Sequence, residues 1–254
     1  MRYIATADTD IGISKKNNQD SVLVKQATYS EGEVLMAILC DGMGGLAKGE
    51  LASATVIRAF NKWFDEELPF ELEHLDLSVI GYTWSNMLKE LNVKIMQYAK
   101  THGIKSMGTT FSGMLFVNDQ YVIVHVGDSR VYQLTNTLYQ LTKDHSFVAR
   151  EIERGTMTLE QAKTDRRRNL LLQCVGASDV VVPDILIGTT ESGAYMLCSD
   201  GFRHEITPDE IYESLNPLNL INADVMHNNV KYLIEENKRR NEKDNISVIL
   251  IKAE

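Results

Sequence analysis

Aspartates recur at the ends of apolar, strand-like runs in this sequence. Asp41, Asp128 and Asp200 each follow such a run, and Asp20 and Asp244 each directly precede one. A single aspartate at such a place is usually a turn or cap residue, because its side chain bonds the neighbouring backbone. Five in one chain favour a different explanation. Carboxylates gathered at the rim of a core repel each other and are costly to bury unless cations hold them together.

The residue types favour a metal site built from oxygen ligands. Carboxylates suit Mg²⁺ or Mn²⁺, and the lack of a Cys/His cluster or a Cys-x-x-Cys pair argues against zinc. Gly42 and Gly201 directly follow Asp41 and Asp200, and a glycine there lets a carbonyl approach a metal or lets a plain turn close tightly. The string Asp-Gly-Met-Gly-Gly at 41–45 is not a Walker loop, because no Gly-Lys-Ser/Thr follows it.

Apolar patterns predict the elements that must position these aspartates. Strands are predicted at residues 3–7, 21–24, 34–40, 110–117, 121–126, 131–134, 180–187, 194–198 and 246–251. Apolar residues at three-to-four spacing predict helices at 51–64 and 80–98, the second ending at Gly103. A further helical region covers 209–236, interrupted near Pro217. Helices bracketed by groups of strands favour an α+β fold with largely antiparallel sheets.

Composition and charge exclude several classes of protein. The chain has 254 residues, 44% hydrophobic and 24% charged, without a linker or repeat, so we expect one domain over 1–254. A net charge of −9 argues against a general nucleic-acid binder. No apolar run approaches the roughly 18 residues of a spanning helix, and residues 1–10 lack a signal-peptide pattern. We therefore expect a cytoplasmic protein without membrane contact.

The three cysteines are an odd number and widely spaced. Cys40 and Cys198 each lie in an apolar run, and Cys174 stands alone. This pattern favours buried, reduced thiols over a disulfide.

Short motifs follow one another along nearly the whole chain. They are Thr9-Asp10-Ile11-Gly12 with Asn18-Gln19-Asp20, Asp41-Gly42-Met43-Gly44-Gly45, Met107-Gly108-Thr109-Thr110, Gly127-Asp128-Ser129-Arg130, Leu141-Thr142-Lys143-Asp144-His145-Ser146, Ser199-Asp200-Gly201 and Asp244-Asn245. In kind and order they resemble those of the metal-dependent serine/threonine protein phosphatases of type 2C, the PPM family, in its compact bacterial form. Each motif is weak alone, but the set in register is very specific.

The resemblance implies a fold and a ligand set. The expected fold is a four-layer α-β-β-α sandwich of two antiparallel sheets flanked by helices, with the metal centre at one end. The residues carried over as metal ligands are Asp20, Asp41, the Gly42 carbonyl, Asp128, Asp200 and Asp244. Asp41 would bridge two metals, Asp20 would hold metal-bound waters, and Asp128 with Asp200 would help to hold a third, weaker metal.

The implied reaction is hydrolysis of phosphoserine and phosphothreonine in proteins. Two cations about 3.5–4 Å apart lower the pKa of a bridging water, and the resulting metal-bridged hydroxide attacks phosphorus in line. The resemblance implies Asp41, as the bridging ligand, and Lys15, at the position that contacts the substrate phosphate, as the catalytic residues. No nucleophilic cysteine is required.

Three positions depart from the family's usual pattern. Lys15 stands where the family usually has an arginine that grips the substrate phosphate, and a lysine supplies a point charge without the fork. One alternative is that Lys16 contacts the phosphate in place of Lys15. The other is that both lysines are solvated residues of a loop. Gln19 stands where Glu is frequent. Leu46 stands where bacterial relatives commonly have His, which leaves metal-bound water, His125 or His145 as the general acid.

A flap over the cleft is expected at about 143–170, where the family has a variable segment. Arg168 and Asn169 would help to dock phosphoprotein there. The alternative is that Arg166, Arg167 and Arg168 form a solvated loop.

The leading interpretation is a monomeric phosphatase that opposes a bacterial serine/threonine kinase and acts on that kinase's targets. Its rivals are a degenerate, non-enzymatic binding domain, a phosphatase with one narrow partner such as an anti-sigma-factor antagonist, and a hydrolase of small phosphoesters. The presence of all five aspartates argues against the degenerate domain.

Overall fold

Two stacked antiparallel sheets form the centre of the computed structural model, which describes residues 1–43 and 48–254. The strands in these ranges are β1 Tyr3–Asp10, β2 Ser21–Tyr29, β3 Gly32–Cys40, β4 Gly42–Met43, β5 Gly108–Thr109, β6 Phe111–Val117, β7 Gln120–Val126, β8 Arg130–Leu134, β9 Leu138–Gln140, β10 Asp184–Thr189, β11 Gly193–Cys198 and β12 Ile246–Ala253. One five-stranded sheet has the order β1-β12-β11-β8-β9 and the other β10-β7-β6-β3-β2, while β4 and β5 pair separately.

Helices cover the outer faces of both sheets. The helices in the described ranges are α1 Gly49–Glu66, α2 Leu68–Glu71, α3 Leu77–Thr101, α4 Phe147–Glu153, α5 Leu159–Thr164, α6 Asp200–Arg203, α7 Pro208–Leu215 and α8 Ala223–Arg239, with 3-10 turns at Leu72–His74 and Pro217–Asn219. Buried side chains of α1 and α3 pack on β3, β6 and β7, and those of α7 and α8 pack on β8, β11 and β12. The predicted four-layer α-β-β-α sandwich is confirmed.

The core between the two sheets is built by the inward faces of their strands. Leu39 and Phe116 from one sheet meet Tyr195, Leu197 and Ile249 from the other, and all are fully buried. Burial of such side chains stabilises each by roughly 1.5–3 kcal/mol relative to exposure. This layer fixes the two sheets against each other and therefore fixes the ends of their strands.

The long helix α3 begins and ends where the sequence provides signals. Asp76 caps its start, because its carboxylate accepts the backbone N–H groups of Ser78 and Val79. Gly103, with φ of +65°, follows its last turn in the left-handed conformation that favours glycine. The predicted stop at Gly103 is therefore confirmed.

The predicted strand at 180–187 is wrong in its first half. Strand β10 begins only at Asp184, and Val180 and Val182 are exposed. Pro183 has no N–H for a ladder, and the backbone of Val182 bonds the Gln173 side chain instead, with N–H···Oε1 2.8 Å and Nε2–H···O 3.0 Å. The apolar residues before Pro183 are typical of a strand, but the backbone of Val182 is bonded to a side chain and not to a neighbouring strand.

The polar stretch 143–170 contains two short helices that the apolar pattern did not predict. Ser146 caps α4 and Thr158 caps α5, the latter in a capping box with Gln161. Residues 44–47 lie outside the described ranges, and the predictions that name Gly44, Gly45 and Leu46 therefore concern residues that the structure does not describe.

Among the described residues, no helix has the length and apolar character needed to cross a bilayer.

We predict that Trp84→Ala lowers the free energy of unfolding by about 3 kcal/mol. Trp84 is fully buried and meets the rings of Phe60, Trp63 and Phe111 edge-on, with centroids 5.1, 5.3 and 6.2 Å away. The expected cost is at the low end of the usual range, because the buried indole N–H has no hydrogen-bond partner among the described residues. Removing this N–H ends an unfavourable burial, which offsets part of the cost of the cavity that the substitution leaves.

Urea unfolding checks this, with Tyr82→Ala as the control. Tyr82 lies on the same helix with 66% of its surface exposed, so its truncation should change stability by less than about 0.5 kcal/mol. Equal losses in the two variants would contradict the account of the core.

Candidate active site

Both sheets contribute aspartates to one end of the sandwich. Asp20 and Asp41 flank the antiparallel pair β2 and β3, whose register joins Ser21 to Cys40, so the two aspartates are the next residues beyond it. Asp200 follows β11 and Asp244 precedes β12, which are paired through Cys198 and Val248. Asp128 lies in the connection from β7 to β8, where the chain passes between the sheets.

The five carboxylates are close enough to perturb one another. Burial and then the charges of Asp20, Asp200, Asp128 and Asp244 raise the pKa of Asp41 well above its ordinary value. Burial, followed by neighbouring aspartates, raises the pKa of Asp20 to about 7. Burial, followed by the charge of Asp200, raises the pKa of Asp128 to about 7. The structure therefore brings the five aspartates to the same end of the sandwich, and their role as metal ligands stays a prediction.

Two buried carboxylate oxygens at this end have no hydrogen-bond partner among the described residues. They are Oδ2 of Asp20 and Oδ1 of Asp200. A buried acceptor without a partner costs free energy, and a divalent cation is the partner that an all-oxygen set of carboxylates suits. The residues present therefore fit Mg²⁺ or Mn²⁺. Within 1–43 and 48–254, however, no three His, Cys, Asp or Glu side chains already converge as a ligand cluster.

Lys15 lies at the same end of the molecule, on the loop after β1. Its Nζ is 2.7 Å from Oδ1 of Asp244, and both side chains are about two-fifths exposed. Burial alone would lower the pKa of Lys15, but the hydrogen bond and charge of Asp244 outweigh it, so the pKa is raised and the ammonium stays charged. The structure thus places the predicted Lys15 beside a predicted metal ligand.

Asn245 fixes the loop that carries Lys15 to the start of β12. Its Oδ1 accepts the Gln19 N–H at 2.9 Å, and its Nδ2 donates to the carbonyls of Ile11 at 2.9 Å and Asn17 at 3.3 Å. Gly12, with φ of +73°, passes against the same place, where a Cβ would lie 2.2 Å from the Asp244 carbonyl oxygen. The loop therefore approaches Asp244 only because residue 12 has no side chain.

A short series of hydrogen bonds between hydroxyl and amide side chains links Ser247 on β12 to the backbone of Asp20. Ser247 and Thr9 join through their hydroxyls at 2.7 Å, and Asn18 donates to Thr9 Oγ1 at 2.8 Å. The Asn18 side-chain oxygen then accepts the backbone N–H of Asp20 at 3.1 Å.

Gly42 follows Asp41 at a point where three backbone segments touch. A Cβ on Gly42 would lie 2.3 Å from the Gln19 carbonyl oxygen and 2.6 Å from backbone atoms of Gly49 at the start of α1. Asp41 itself is tied to the next strand, because its N–H donates to Thr110 Oγ1 at 2.9 Å and its carbonyl accepts the Thr110 N–H at 2.8 Å. Backbone atoms thus set the position of the Asp41-Gly42 pair.

Cationic groups adjoin Asp128 and Asp200, and sequence reasoning missed them. Arg203 donates from Nη2 to the Asp128 carbonyl at 3.0 Å. His204 lies 3.6 Å from Asp200 and 3.3 Å from Glu242. A signal was available, because Arg203 and His204 follow Asp200 by three and four residues and so return to its side of a helical turn.

The rings of His125 and His145 lie beside each other, with centroids 4.9 Å apart. His125 is fully buried and bonded to Ser112 Oγ, and burial lowers its pKa to about 4. The Nδ1 of His145 lies 2.8 Å from the donor Nε2 of Gln173, and its Nε2 faces Asp184 Oδ2 at 3.1 Å. Both rings are committed to structural hydrogen bonds, which argues against either as general acid.

Arg168 and Asn169 lie on an exposed turn after α5. No side-chain contact among the described residues joins either one to the aspartates. Their neighbour Arg167 pairs with Asp165 at 2.9 Å and lies over the Phe147 ring at 4.0 Å. The three cysteines are free and buried, as predicted.

Comparisons with known proteins agree with this geometry. The family model for protein phosphatase 2C matches residues 13–232. The protein phosphatase PhpP of Streptococcus pneumoniae is 30% identical over 249 residues, covering 96% of this chain and 94% of that protein. The serine/threonine phosphatase of S. agalactiae superposes with a TM-score of 0.86 at 29% identity, covering all of both chains.

A third similar structure is the catalytic domain of the serine/threonine phosphatase PstP in complex with two manganese ions. It has a TM-score of 0.76 and 29% identity, covering 98% of this chain and 97% of that one. By its sequence and its fold, this chain belongs to the protein phosphatase 2C family.

We predict that Asp20→Asn stabilises the metal-free protein increasingly as pH rises. The folded-state pKa of about 7 lies above the roughly 3.9 of an unfolded aspartate. The folded state therefore keeps a proton that the unfolded state releases, so stability is lost as pH rises towards 7. Asparagine removes this loss, and the advantage of the variant should grow by up to about 1.4 kcal/mol per pH unit and level off above pH 7.

Urea unfolding in EDTA at several pH values between 5 and 8 measures this difference. Asp209→Asn, at an exposed position on α7, is the control and should show a difference that does not change with pH. A pH-independent or shrinking advantage for Asp20→Asn would mean that Asp20 does not share the repulsion.

Proposed function

We propose that this protein hydrolyses phosphoserine and phosphothreonine in proteins with the help of two bound divalent cations. The observation that carries the proposal is that five aspartates lie at one end of the sandwich, where the charges of the other four act on Asp41, and that two of them have a buried oxygen without a hydrogen-bond partner among the described residues. Membership of the protein phosphatase 2C family supports the same reaction.

The ligands proposed for the cations are Asp41, the Gly42 carbonyl, Asp200 and Asp244, with Asp20 beside them. Asp128 and Asp200 would form the weaker third position. The PstP catalytic domain binds two manganese ions, which supports Mn²⁺ as one physiological choice here. When bound, the cations would supply an activated water for attack on phosphorus and would neutralise the phosphoryl oxygens.

The residues of the chain itself would position the phosphate and the ligands. Lys15 is charged and half-exposed, so it can turn from Asp244 to a phosphoryl oxygen when a substrate enters. As a point charge it would hold the phosphate less rigidly than an arginine fork. Asn245 and the Thr9–Asn18 chain would keep Lys15, Asp20 and Asp244 in register by the hydrogen bonds described above.

The proposed flap at 143–170 would select the phosphoprotein. Arg168 and Asn169 are exposed there, on the turn after α5, and can meet acidic or phosphorylated surfaces. We propose phosphoproteins as substrates, a serine/threonine kinase as the opposing activity, and a monomer as the active form, since one chain supplies every proposed ligand.

We predict Mn²⁺-dependent release of phosphate from a phosphothreonine peptide. EDTA should abolish the release, and Asp200→Asn should lower kcat by at least about a hundredfold, because it removes a carboxylate from the ligand set. Asp209→Asn should retain wild-type activity, and circular dichroism should show that each variant is folded.

No release from folded protein with any metal would overturn the proposed reaction. Equal kcat/KM values for a phosphopeptide and for a small aromatic phosphoester would instead favour a hydrolase of small phosphoesters.

A further inference from the structure

His125 is a fully buried histidine on β7, and both of its ring nitrogens have hydrogen-bond partners. Its Nε2 lies 3.1 Å from the Gly127 carbonyl oxygen and 3.1 Å from the Lys143 carbonyl oxygen. Its Nδ1 lies 3.0 Å from Ser112 Oγ. Burial lowers the pKa of His125 to about 4, so at pH 7 the ring is neutral and carries a hydrogen on only one nitrogen.

The partners of this ring determine which nitrogen carries the hydrogen. Carbonyl oxygens only accept, so Nε2 is the donor to Gly127 and Lys143. Nδ1 is then an acceptor for the hydroxyl of Ser112, whose one hydrogen is shared with the Ser129 carbonyl at 3.1 Å. The opposite tautomer would leave Nε2 and two carbonyl oxygens facing one another as buried acceptors, which costs free energy.

The hydrogen bonds continue beyond the ring to two of the five aspartates. Ser129 Oγ and Thr110 Oγ1 are 2.6 Å apart, and Thr110 Oγ1 accepts the backbone N–H of Asp41 at 2.9 Å. Gly127 and Ser129 are the residues on either side of Asp128, so the network bonds the chain directly before and directly after that aspartate. Buried side chains therefore hold the turn of Asp128 against the backbone of Asp41.

The ring of His125 also contacts the base of the proposed flap. Lys143 is the first residue of the segment 143–170, and its carbonyl oxygen faces Nε2 of the ring. Two residues later, the His145 N–H donates to the Gly127 carbonyl at 2.7 Å. The base of the flap and the turn of Asp128 are thus bonded to the same ring and to each other.

We infer that His125 is a positioning residue: through its Nε2–H and its Nδ1 it holds the turn of Asp128, the backbone of Asp41 and the base of the flap in one fixed arrangement. This inference rests on the proposed function, because it presumes that the two aspartates act in the reaction. It assigns no proton transfer to His125.

Two-dimensional NMR that correlates the histidine ring nitrogens with their carbon-bound hydrogens tests the hydrogen bonds without measuring activity. The signals of His125 are those that disappear in His125→Gln. In wild type at pH 7 they should show a neutral ring with its hydrogen on Nε2. A hydrogen on Nδ1, or a doubly protonated ring, would overturn the inference.

Kinetics of folded variants test the positioning. His125→Leu removes both ring nitrogens and should lower kcat about tenfold on a phosphothreonine peptide and on a small aromatic phosphoester, because both substrates depend on the placement of the aspartates. His125→Gln carries an amide donor with two hydrogens on a side chain that reaches as far as Nε2, so it should restore most of the lost rate.

Val124→Ala is the matched control for these variants. Val124 is the next residue on β7 and is fully buried, but it lies on the other face of the strand, in the core with α1 and α3. Its truncation should lower the free energy of unfolding and leave the kcat of the folded protein unchanged. Circular dichroism and urea unfolding show under which conditions each variant is folded.

A folded His125→Leu with the kcat of wild type would overturn the inference, and so would a His125→Gln as slow as His125→Leu. If neither variant folds, Ser112→Ala removes only the shared hydrogen and should lower kcat by a smaller factor, and a wild-type kcat in Ser112→Ala would then overturn the inference. If wild type releases no phosphate, the proposed function fails and the inference fails with it, whereas each of the other contrary results leaves phosphate release by wild type intact.

Discussion

Repulsion between carboxylates is the constraint on which the rest of this structure depends. Five aspartates from both sheets meet at one end of the sandwich, and burial together with the other four charges raises the pKa of Asp41 well above its ordinary value. Such an arrangement is unfavourable unless positive charge is supplied. Lys15 and Arg203 supply part of it from the chain, and the proposed cations would supply the rest.

The remaining elements hold this unfavourable arrangement in place. The apolar layer between the sheets fixes the strand ends, while Gly12 and Gly42 allow backbone segments to approach where a side chain would collide. Asn245 joins the loop of Lys15 to the strand that follows Asp244. The stability that the sandwich gains from packing thus offsets the unfavourable free energy of holding the aspartates together, as is common for sites that bind charged ligands.

Much of the fold and the list of aspartates could be predicted from the sequence, because both depend on local pattern. Strand ends follow from apolar runs, and the aspartates stand directly beside them. The contacts of Lys15 with Asp244 and of Arg203 with Asp128 could not be predicted, because they depend on how segments distant in the sequence approach each other after the sheets stack. The segment before β10 was predicted wrongly because the backbone of Val182 bonds the side chain of Gln173, nine residues earlier, and an apolar pattern does not reveal such a contact.

The most direct test of the central claim compares the melting temperature of wild type and Asp41→Asn by calorimetry, in EDTA and in Mn²⁺. If cations relieve the repulsion, Mn²⁺ raises the melting temperature of wild type by several degrees and that of the variant by much less, since ligands that bind only the folded state stabilise it. In EDTA the variant should be at least as stable as wild type. Equal shifts in the two proteins, or a variant that is less stable in EDTA, would contradict the account.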